Sequence, residues 1–406
     1  MSRSVSLVLA AAMVLLTTIA WQTRLAAGPP PEAHPPSAGE QIFRYDTFGD
    51  EQLWTRVLRM HEAIATVSPA TALKVGLKVD VEALPPEMIA ALRADEVKLD
   101  DPSVTATLLR LNAVVGLKGT VNDAGQVTSV GITCALCHST VDDSLTAGIG
   151  HRLDGWANTT LDVGTIVSLS PALDDATKAE FRTWGPGRYD PRHHAFDGTN
   201  LISLNSPSLP IVIPPIYGLK GVGFETVSAD GPISYWNSYV GVTQMGGHGT
   251  FKDARIGLEV EQTPDLVTPK LPALLDYQLR LRTPPPPAGS YDPAAARRGR
   301  HLFQHEAGCA SCHQGPRYTD VLAAPRARRP LLHDPAETRM DPRYAERTAT
   351  QGYRTTPLRA LWQHAPYFHD GSAPDLPAVV AHYDRHFQLG LTDSQKAELV
   401  EYLKSL

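Results

Sequence analysis

The sequence predicts a mainly α-helical fold with two domains, loop-rich insertions and one small β-hairpin. The chain of 406 residues is 42% hydrophobic and 20% charged, which is ordinary for a globular protein of two or three domains. The same short cysteine motif occurs once in each half, and a proline-rich run separates the halves. Because consecutive prolines hold a chain extended, we predict a stiff linker at 283–290 between an N-terminal domain at 39–282 and a C-terminal domain at 291–406.

The first residues have the pattern of an export signal. Arg3 supplies a positive start, an almost unbroken apolar run occupies 7–20, and small residues follow it. Such a run is short for a membrane span and typical of a signal peptide. We therefore predict a signal peptide at 1–27, a proline-rich tether at 28–38 and a body outside the cytoplasm. The membrane is a partner only if the signal segment stays uncleaved.

The charge of the chain argues against a nucleic-acid partner. Lys and Arg total 37 against 43 Asp and Glu, which gives a formal net charge of −6. Proteins that bind nucleic acid present a basic stripe to the phosphates, and this sequence has none. We therefore expect proteins or small molecules as partners.

The N-terminal domain is predicted to begin with a helix and a hairpin. The helix covers 51–67, with Asp50 as its N-cap and the Ser-Pro pair at 68–69 as its end. His61 lies on the apolar stripe of this helix. A hairpin over 113–133 turns at the sequence NDAG and leads directly into the first cysteine motif.

The end of the first domain has little regular pattern. Residues 185–290 are rich in Gly, Pro and Ser, so we predict mostly loop with short helices. His193 and His194 fall in this region, and we expect them to be a solvated pair in a loop.

All four cysteines belong to the sequence C-x-x-C-H, which is the attachment signature of c-type haem. The spacing places two thiols on one helical turn, where they add to the two vinyl groups of the porphyrin, and it places the histidine beneath the iron. Disulfides or a zinc site would not require a histidine directly after each pair. We predict two covalently bound c-type haems, haem 1 and haem 2. The residues are Cys134, Cys137 and His138 for haem 1, and Cys309, Cys312 and His313 for haem 2.

Two helices frame the second motif. Asp292 precedes Pro293 at the start of the first helix, and Thr392 begins a capping box for a last helix that runs to the end of the chain. Two helices that cross beside a haem resemble a cytochrome c domain. In that arrangement Gly299 allows the close approach and Tyr402 packs into the crossing.

The C-terminal region resembles the bacterial di-haem cytochrome c peroxidases, a superfamily that also holds the methylamine-utilisation di-haem enzyme and the haem rubber oxygenases. The similarity lies in TPLR at 356–359, APYFHDGS at 365–372 and the ending at 389–406. The superfamily's Trp-Asp-Gly-Arg stretch is missing from the N-terminal half. The resemblance implies two cytochrome c-like haem domains and a periplasmic location.

The resemblance also suggests the sixth ligand of haem 2. The superfamily places this ligand, usually methionine, a fixed distance before the last helix, and His382 occupies the corresponding position. We predict that His382 binds the iron, with His386 as a rival one turn later. A bis-histidine haem should have a lower potential than a His/Met haem.

The sixth ligand of haem 1 stays open among several candidates. His151 lies in an Ile-Gly-His context similar to that of the reversible distal histidine of the peroxidases. Met245 and His248 lie in a glycine-rich segment that could approach a porphyrin closely. His61 is a further candidate, although a histidine on an apolar face is more often a core residue. An open iron is the remaining possibility.

Other polar and aromatic residues have weaker assignments. Glu225 is the nearest counterpart of a peroxidase acid–base glutamate, and Arg359 is a candidate partner for a haem propionate or for a surface carboxylate. Trp156, Trp236 and Trp362 could each lie between the haems, with core packing as the default for tryptophan.

The resemblance implies a peroxidase-type oxidoreductase. A small redox protein or a quinol-derived donor would reduce haem 2, haem 2 would reduce haem 1, and a small-molecule oxidant, hydrogen peroxide, would be reduced at haem 1. A non-catalytic electron-transfer cytochrome and a di-haem oxygenase are the alternatives. The state of the sixth position distinguishes an enzyme from a carrier.

Overall fold

The structure is a computed structural model that describes residues 36–321 and 331–406. The predicted signal peptide at 1–27 and most of the predicted tether at 28–38 lie outside the described residues. Within the described ranges no helix is long and apolar enough to cross a membrane.

Short helices and two-stranded sheets alternate through the N-terminal half. The helices are α1 (Ala38–Tyr45), α2 (Met60–Ile64), α3 (Pro69–Lys74), α4 (Pro86–Arg93), α5 (Pro102–Arg110), α6 (Ala135–His138), α7 (Val163–Val167), α8 (Asp175–Phe181), α9 (Ile233–Tyr239) and α10 (Leu271–Arg280). The strands are β1 (Val79–Asp80), β2 (Leu117–Val121), β3 (Val127–Ile132), β4 (Ser139–Val141), β5 (Ile149–Gly150), β6 (Arg152–Asp154), β7 (Arg188–Tyr189), β8 (His194–Phe196), β9 (Leu201–Ser203), β10 (Ile211–Val212), β11 (Phe251–Asp253) and β12 (Leu258–Val260).

The C-terminal half is helical wherever it is regular. Its helices are α11 (Pro293–Gln304), α12 (Pro335–Thr338), α13 (Arg343–Glu346), α14 (Leu376–Phe387) and α15 (Asp393–Lys404). The helix-rich fold is thus confirmed, but the prediction of a single hairpin is wrong, since the described residues contain six two-stranded sheets. The extra strands are mostly two or three residues long, too short for an alternating pattern to be visible in the sequence.

The first predicted helix is wrong as a continuous element. A π-helical segment spans Gln52–Val57, and Arg59 adopts a left-handed conformation with φ of 54° before α2 begins. Asp50 does not cap it, because its buried carboxylate accepts a hydrogen bond from the Ile132 backbone N–H at 3.1 Å. A contact with β3 therefore overrides the local capping preference.

The predicted hairpin is confirmed. Strands β2 and β3 pair antiparallel, with Leu117 opposite Ile132. Asn122 accepts a hydrogen bond at its side chain from the Gln126 backbone N–H, and Gly125 supplies the positive φ of 79° that the turn requires. The hairpin ends directly before the first C-x-x-C-H motif, so β3 fixes the start of α6.

The crossing of α11 and α15 is also confirmed. Asp292 caps α11 and Thr392 forms the predicted capping box at α15. A Cβ atom on Gly299 would lie 1.9 Å from the Glu398 carbonyl oxygen, so only glycine allows this approach. The Phe303 and Tyr402 rings meet edge to face with centroids 5.2 Å apart.

Two hydrophobic clusters correspond to the two halves of the chain. The larger one packs residues between Phe43 and Leu274, with Cys134 and Cys137 against it. The smaller one packs residues between Leu302 and Leu403, with Cys309 against it. Each motif therefore lies beside its own apolar cluster. The domain boundaries themselves stay a prediction.

Candidate haem sites

The first motif forms one helical turn at the end of the hairpin. The His138 backbone N–H donates to the Cys134 carbonyl at 3.2 Å, which brings the imidazole one turn beyond the first thiol. Cys134 and Cys137 are free thiols, and burial raises the pKa of both to about 12. Both thiols therefore lie in the apolar surroundings that the porphyrin of a c-type haem requires.

The His138 ring is held in the tautomer that a metal ligand needs. Its Nδ1 lies 3.0 Å from the Pro214 carbonyl oxygen. A carbonyl can only accept a hydrogen bond, so Nδ1 carries the proton and Nε2 keeps its lone pair. Burial lowers the pKa of His138 to about 4, which keeps the ring neutral. A backbone carbonyl behind the ring is the usual way in which proteins orient an imidazole toward a metal.

The second motif repeats this arrangement on a different backbone. A 3₁₀ turn covers Cys309–Ser311, and the His313 backbone N–H donates to the Cys309 carbonyl at 3.0 Å. The His313 Nδ1 lies 3.1 Å from the Tyr318 carbonyl oxygen, and burial lowers the pKa of the ring. The Phe303 ring lies 6.3 Å from the His313 ring. Both motifs therefore offer two thiols, a correctly oriented imidazole and apolar walls, which is the donor set that haem c requires.

Two arginines lie at the boundary between the halves. Arg354 donates to the Glu225 carbonyl, and Arg359 donates to the Gly218 carbonyl. Burial lowers the pKa of Arg354 to about 10 and also lowers the pKa of Arg359. The Arg354 Nε atom is buried and has no hydrogen-bond partner. A buried arginine with an unused donor is suited to the carboxylate of a haem propionate. Arg359 is half-buried beside it, and its assignment to a propionate stays a prediction.

Glu225 lies with these arginines. It is 8% exposed, burial raises its pKa, and its Oε2 atom is buried without a hydrogen-bond partner. The charges of Arg354 and Arg359 act in the opposite direction. The predicted acid–base glutamate is therefore a buried group that can hold a proton, placed beside arginines of the C-terminal half.

A pair of tryptophans connects the surroundings of the two motifs. The Trp156 and Trp362 rings meet edge to face with centroids 5.5 Å apart. Trp156 follows Gly155, whose backbone N–H donates to the His138 carbonyl at 2.8 Å. Trp362 follows Leu361, which belongs to the C-terminal cluster. Trp236 instead lies in the N-terminal cluster, as a core residue does.

His151 is at the surface. Its side chain is 56% exposed and its Nδ1 lies 3.2 Å from Glu82. Strands β4 and β6 form a hairpin in which the Asp142 backbone N–H donates to the His151 carbonyl, four residues beyond His138. In this structure His151 is therefore an exposed side chain beside Glu82, and its role as a distal ligand stays a prediction.

The other candidates for haem 1 have different surroundings. Met245 is 4% exposed, and its carbonyl accepts a hydrogen bond from Trp54. The His248 Nδ1 lies 3.4 Å from Gln52. The His61 Nδ1 is buried without a partner. None of these contacts involves the first motif, so the sixth ligand of haem 1 stays open.

His382 and His386 lie on α14 beside α12. The His382 Nε2 donates to the Thr338 carbonyl at 2.8 Å, and the side chain lines a cavity of about 260 Å³ with Arg339, Arg385 and His386. His386 bonds the Glu337 carbonyl in the same way at 2.8 Å. Either histidine would have to exchange its bond to α12 for a bond to iron, so the sixth ligand of haem 2 stays a prediction.

Tyr383 follows His382 on α14. Burial raises the pKa of Tyr383 to about 12, and its ring meets the Phe368 ring edge to face with centroids 6.0 Å apart. The sequence motifs gave no indication of a tyrosine at this position. Tyrosine is an axial ligand of haem iron in some proteins, so Tyr383 is a further candidate beside His382 and His386.

Comparisons with known proteins find one family match, in the C-terminal half, and two similar relatives. Residues 352–387 match the family described as RoxA-like, cytochrome c-like. Over 131 residues the chain is 32% identical to the methylamine utilization protein MauG of Methylorubrum extorquens, a match that covers 28% of this chain and 35% of that protein. Over 151 residues it is 30% identical to the cytochrome-c peroxidase IdrP1 of Denitromonas iodatirespirans, covering 28% of this chain and 40% of that protein.

The matches thus span between 35% and 40% of the length of these two relatives. A solved structure of hydrazine synthase from Kuenenia stuttgartiensis, pressurised with xenon, is 21% identical over 50% of this chain and 74% of that chain, with a TM-score of 0.29 that is too low to compare overall folds. With its C-x-x-C-H motifs and these relatives, the chain is similar to the superfamily of the bacterial di-haem cytochrome c peroxidases.

Proposed function

We propose that the protein is an exported, periplasmic di-haem cytochrome c that reduces hydrogen peroxide. Electrons would enter at the C-terminal motif from a small redox protein or a quinol-derived donor and pass to the N-terminal motif. The observation that carries this proposal is the pair Trp156 and Trp362, whose rings lie 5.5 Å apart between the surroundings of two equivalent imidazole sites. A protein with two redox sites and aromatic side chains between them is suited to relaying electrons.

The chain's own residues supply binding, orientation and charge. His138 and His313 would each offer a neutral Nε2, held in place by a backbone carbonyl at Nδ1. Arg354 and Arg359 would hold propionates at the boundary of the halves. Haem c, when bound, supplies the iron that changes oxidation state and, where its sixth position is open, the place at which peroxide is reduced. Glu225 could hold one of the protons that reduction of peroxide to water consumes.

The number of haems is tested by intact mass. We expect the exported protein to exceed its polypeptide mass by two haem groups, and the Cys309→Ser/Cys312→Ser variant to exceed it by one. The matched Cys134→Ser/Cys137→Ser variant should also keep one covalent haem. If one of these double variants still carries two covalent haems, the motif that it lacks does not attach a haem.

The activity is tested by electron paramagnetic resonance on the fully oxidised and the half-reduced protein, each with and without cyanide. We expect one high-spin or cyanide-accessible iron in at least one of the two states, together with consumption of peroxide by the reduced protein. Two low-spin irons that do not bind cyanide in either state would contradict the peroxidase proposal and support an electron-transfer cytochrome. A reduced protein that consumes dioxygen but not peroxide would contradict it and support an oxygenase.

A further inference from the structure

A second group of possible metal ligands lies apart from both motifs. Glu180 at the end of α8, His193, and His194 at the start of β8 each place one ligand atom so that all three atoms are within 4.8 Å of one another. His193 is 8% exposed, so the predicted solvated loop pair is wrong. The pair is buried because α8 packs on β8, with the Phe181 and His194 rings 4.9 Å apart.

Both imidazoles have their Nδ1 atoms engaged by backbone. The His193 Nδ1 lies 2.5 Å from the Ser206 carbonyl oxygen. The His194 ring bonds the backbone of Ile202, and its Nε2 is buried without a partner, so the bond to Ile202 is made by Nδ1. Because a carbonyl accepts only, each Nδ1 carries a proton. The two Nε2 atoms are then left directed at the same place.

That place contains a carboxylate oxygen. The His193 Nε2 contacts the Glu180 Oε1, and the His194 Nε2 lies 3.9 Å from the same oxygen. A proton on His193 would satisfy one contact by an ion pair, but the His194 Nε2 would still lack a partner. Two imidazole nitrogens and a carboxylate oxygen that converge on one point, with one of the nitrogens buried and unpartnered, are suited to a metal cation.

We propose that Glu180, His193 and His194 bind a divalent first-row transition metal, such as zinc. Two imidazoles and one carboxylate are ligands that such metals accept, and backbone carbonyls behind both rings are the usual orienting partners. Glu180 is 35% exposed at its side chain, so water can reach the site and complete the coordination. The metal would tie α8 to the hairpin of β8 and β9.

The described residues contain another group of possible metal ligands, which is less suited to a metal ion. It consists of Cys312, Asp320 and His333. Cys312 belongs to the second motif, and both nitrogens of His333 are already paired, Nε2 with Asp320 at 3.1 Å and Nδ1 with Glu337 at 2.9 Å. In the Glu180 cluster, by contrast, the His194 Nε2 is a buried imidazole nitrogen without a hydrogen-bond partner.

The test uses the holoprotein with both haems and without a histidine tag. It is dialysed against a chelator, reloaded with zinc, dialysed again and analysed for zinc per chain. We expect one zinc in the wild type, and at least a roughly 100-fold weaker affinity in the His194→Ala and Glu180→Gln variants, beyond the 10- to 100-fold effect of an outer-shell partner. His301→Ala, which removes an exposed histidine, is the matched control and should keep the zinc.

X-ray absorption at the zinc edge of the wild type makes the test independent of any variant that fails to fold. Two imidazole ligands at about 2.0–2.1 Å support the proposal. A wild type that retains no zinc, a zinc without two imidazoles, or folded His194→Ala and Glu180→Gln proteins that retain as much zinc as the wild type would each overturn it.

Discussion

Single buried side chains decide most of the chemistry of this protein. His138 and His313 are made into metal ligands by one carbonyl each, at 3.0 and 3.1 Å. The same device, applied to His193 and His194, carries the proposed zinc site. A carbonyl oxygen only accepts hydrogen bonds, so the ring nitrogen beside it carries the proton and the other nitrogen keeps its lone pair. The backbone carbonyl oxygen at Nδ1 therefore determines whether Nε2 of such a histidine can bind a metal.

The sixth ligand of haem 2 is tested by two neighbouring substitutions. We expect His382→Ala to convert one of the two haems from low-spin to high-spin, because His382 occupies the position that the superfamily uses for this ligand. Tyr383→Phe is the matched control on α14, and we expect it to leave the absorption and paramagnetic spectra of both haems unchanged. The reverse result, a change of spectrum in Tyr383→Phe alone, would assign the sixth position to Tyr383.

Asp50 should make the stability depend on pH. Burial raises its pKa well above the usual range, with Glu51 and Asp46 adding to the shift. A carboxyl with a raised folded pKa binds protons more tightly in the folded state, so the free energy of unfolding falls as pH rises from the unfolded pKa of about 3.9 through the folded pKa. We expect Asp50→Asn to reduce this fall, since Asn can still accept from Ile132.

The measurement for Asp50 is urea unfolding at pH 4 and at pH 8. The matched control is Asp101→Asn, since a hydrogen bond from the Ser103 backbone lowers the pKa of Asp101 and leaves it ionised over this range. A variant Asp50→Asn that loses as much stability between the two pH values as the wild type would show that Asp50 does not cause the dependence.

Contacts between helices, and the ends of strands, position the two C-x-x-C-H motifs. The α11–α15 crossing places Phe303 and Tyr402 beside the second motif, and it depends on the missing side chain at Gly299. The β2–β3 hairpin sets the start of the first motif. The helix crossing thus positions the second motif, and the end of the hairpin positions the first.

Gly299→Ala should therefore destabilise the C-terminal half. The added Cβ would lie 1.9 Å from the Glu398 carbonyl oxygen, so the two helices must separate. Overpacking of this kind costs about 1–3 kcal/mol or more. The measurement is the midpoint of thermal or urea unfolding followed at the haem 2 spectrum. Gly315→Ala, where no atom lies within 4 Å of the added Cβ, is the control and should change the midpoint little. Equal midpoints for both variants would contradict the prediction.

At the scale of the whole molecule, the two halves meet at the tryptophan pair and the two arginines. The Tyr217 hydroxyl and the Gln363 side chain bond across the same boundary. The described residues from 38 onward cluster into one compact unit that contains both motifs.

We expect Trp362→Phe to slow electron transfer between the haems by about tenfold or more, equivalent to about 1.4 kcal/mol in the barrier. The smaller ring withdraws from Trp156 and opens a gap at the boundary. The rate is measured by flash reduction of one haem and absorption of the other. Trp236→Phe is the matched control, because Trp236 lies in the N-terminal core. Equal rates in both variants would exclude the pair from the electron path.

Features that depend on neighbours in the chain could be predicted from the amino-acid order. The two C-x-x-C-H turns, the hairpin before the first, and the caps of α11 and α15 each need only a few consecutive residues. The close approach at Gly299 could also be expected, because a glycine inside a helix is costly and usually marks a place where another backbone comes near. Such features are local, so short-range geometry specifies them.

Long-range packing set the remaining features. Asp50 became a partner of β3 instead of a helix cap, His151 lies at the surface, and the His382 ring bonds the Thr338 carbonyl of α12. His193 and His194 became a buried pair because α8 packs on them. The reason is the same in each case: the direction and burial of a side chain depend on segments far away in the sequence, and no local pattern encodes their positions.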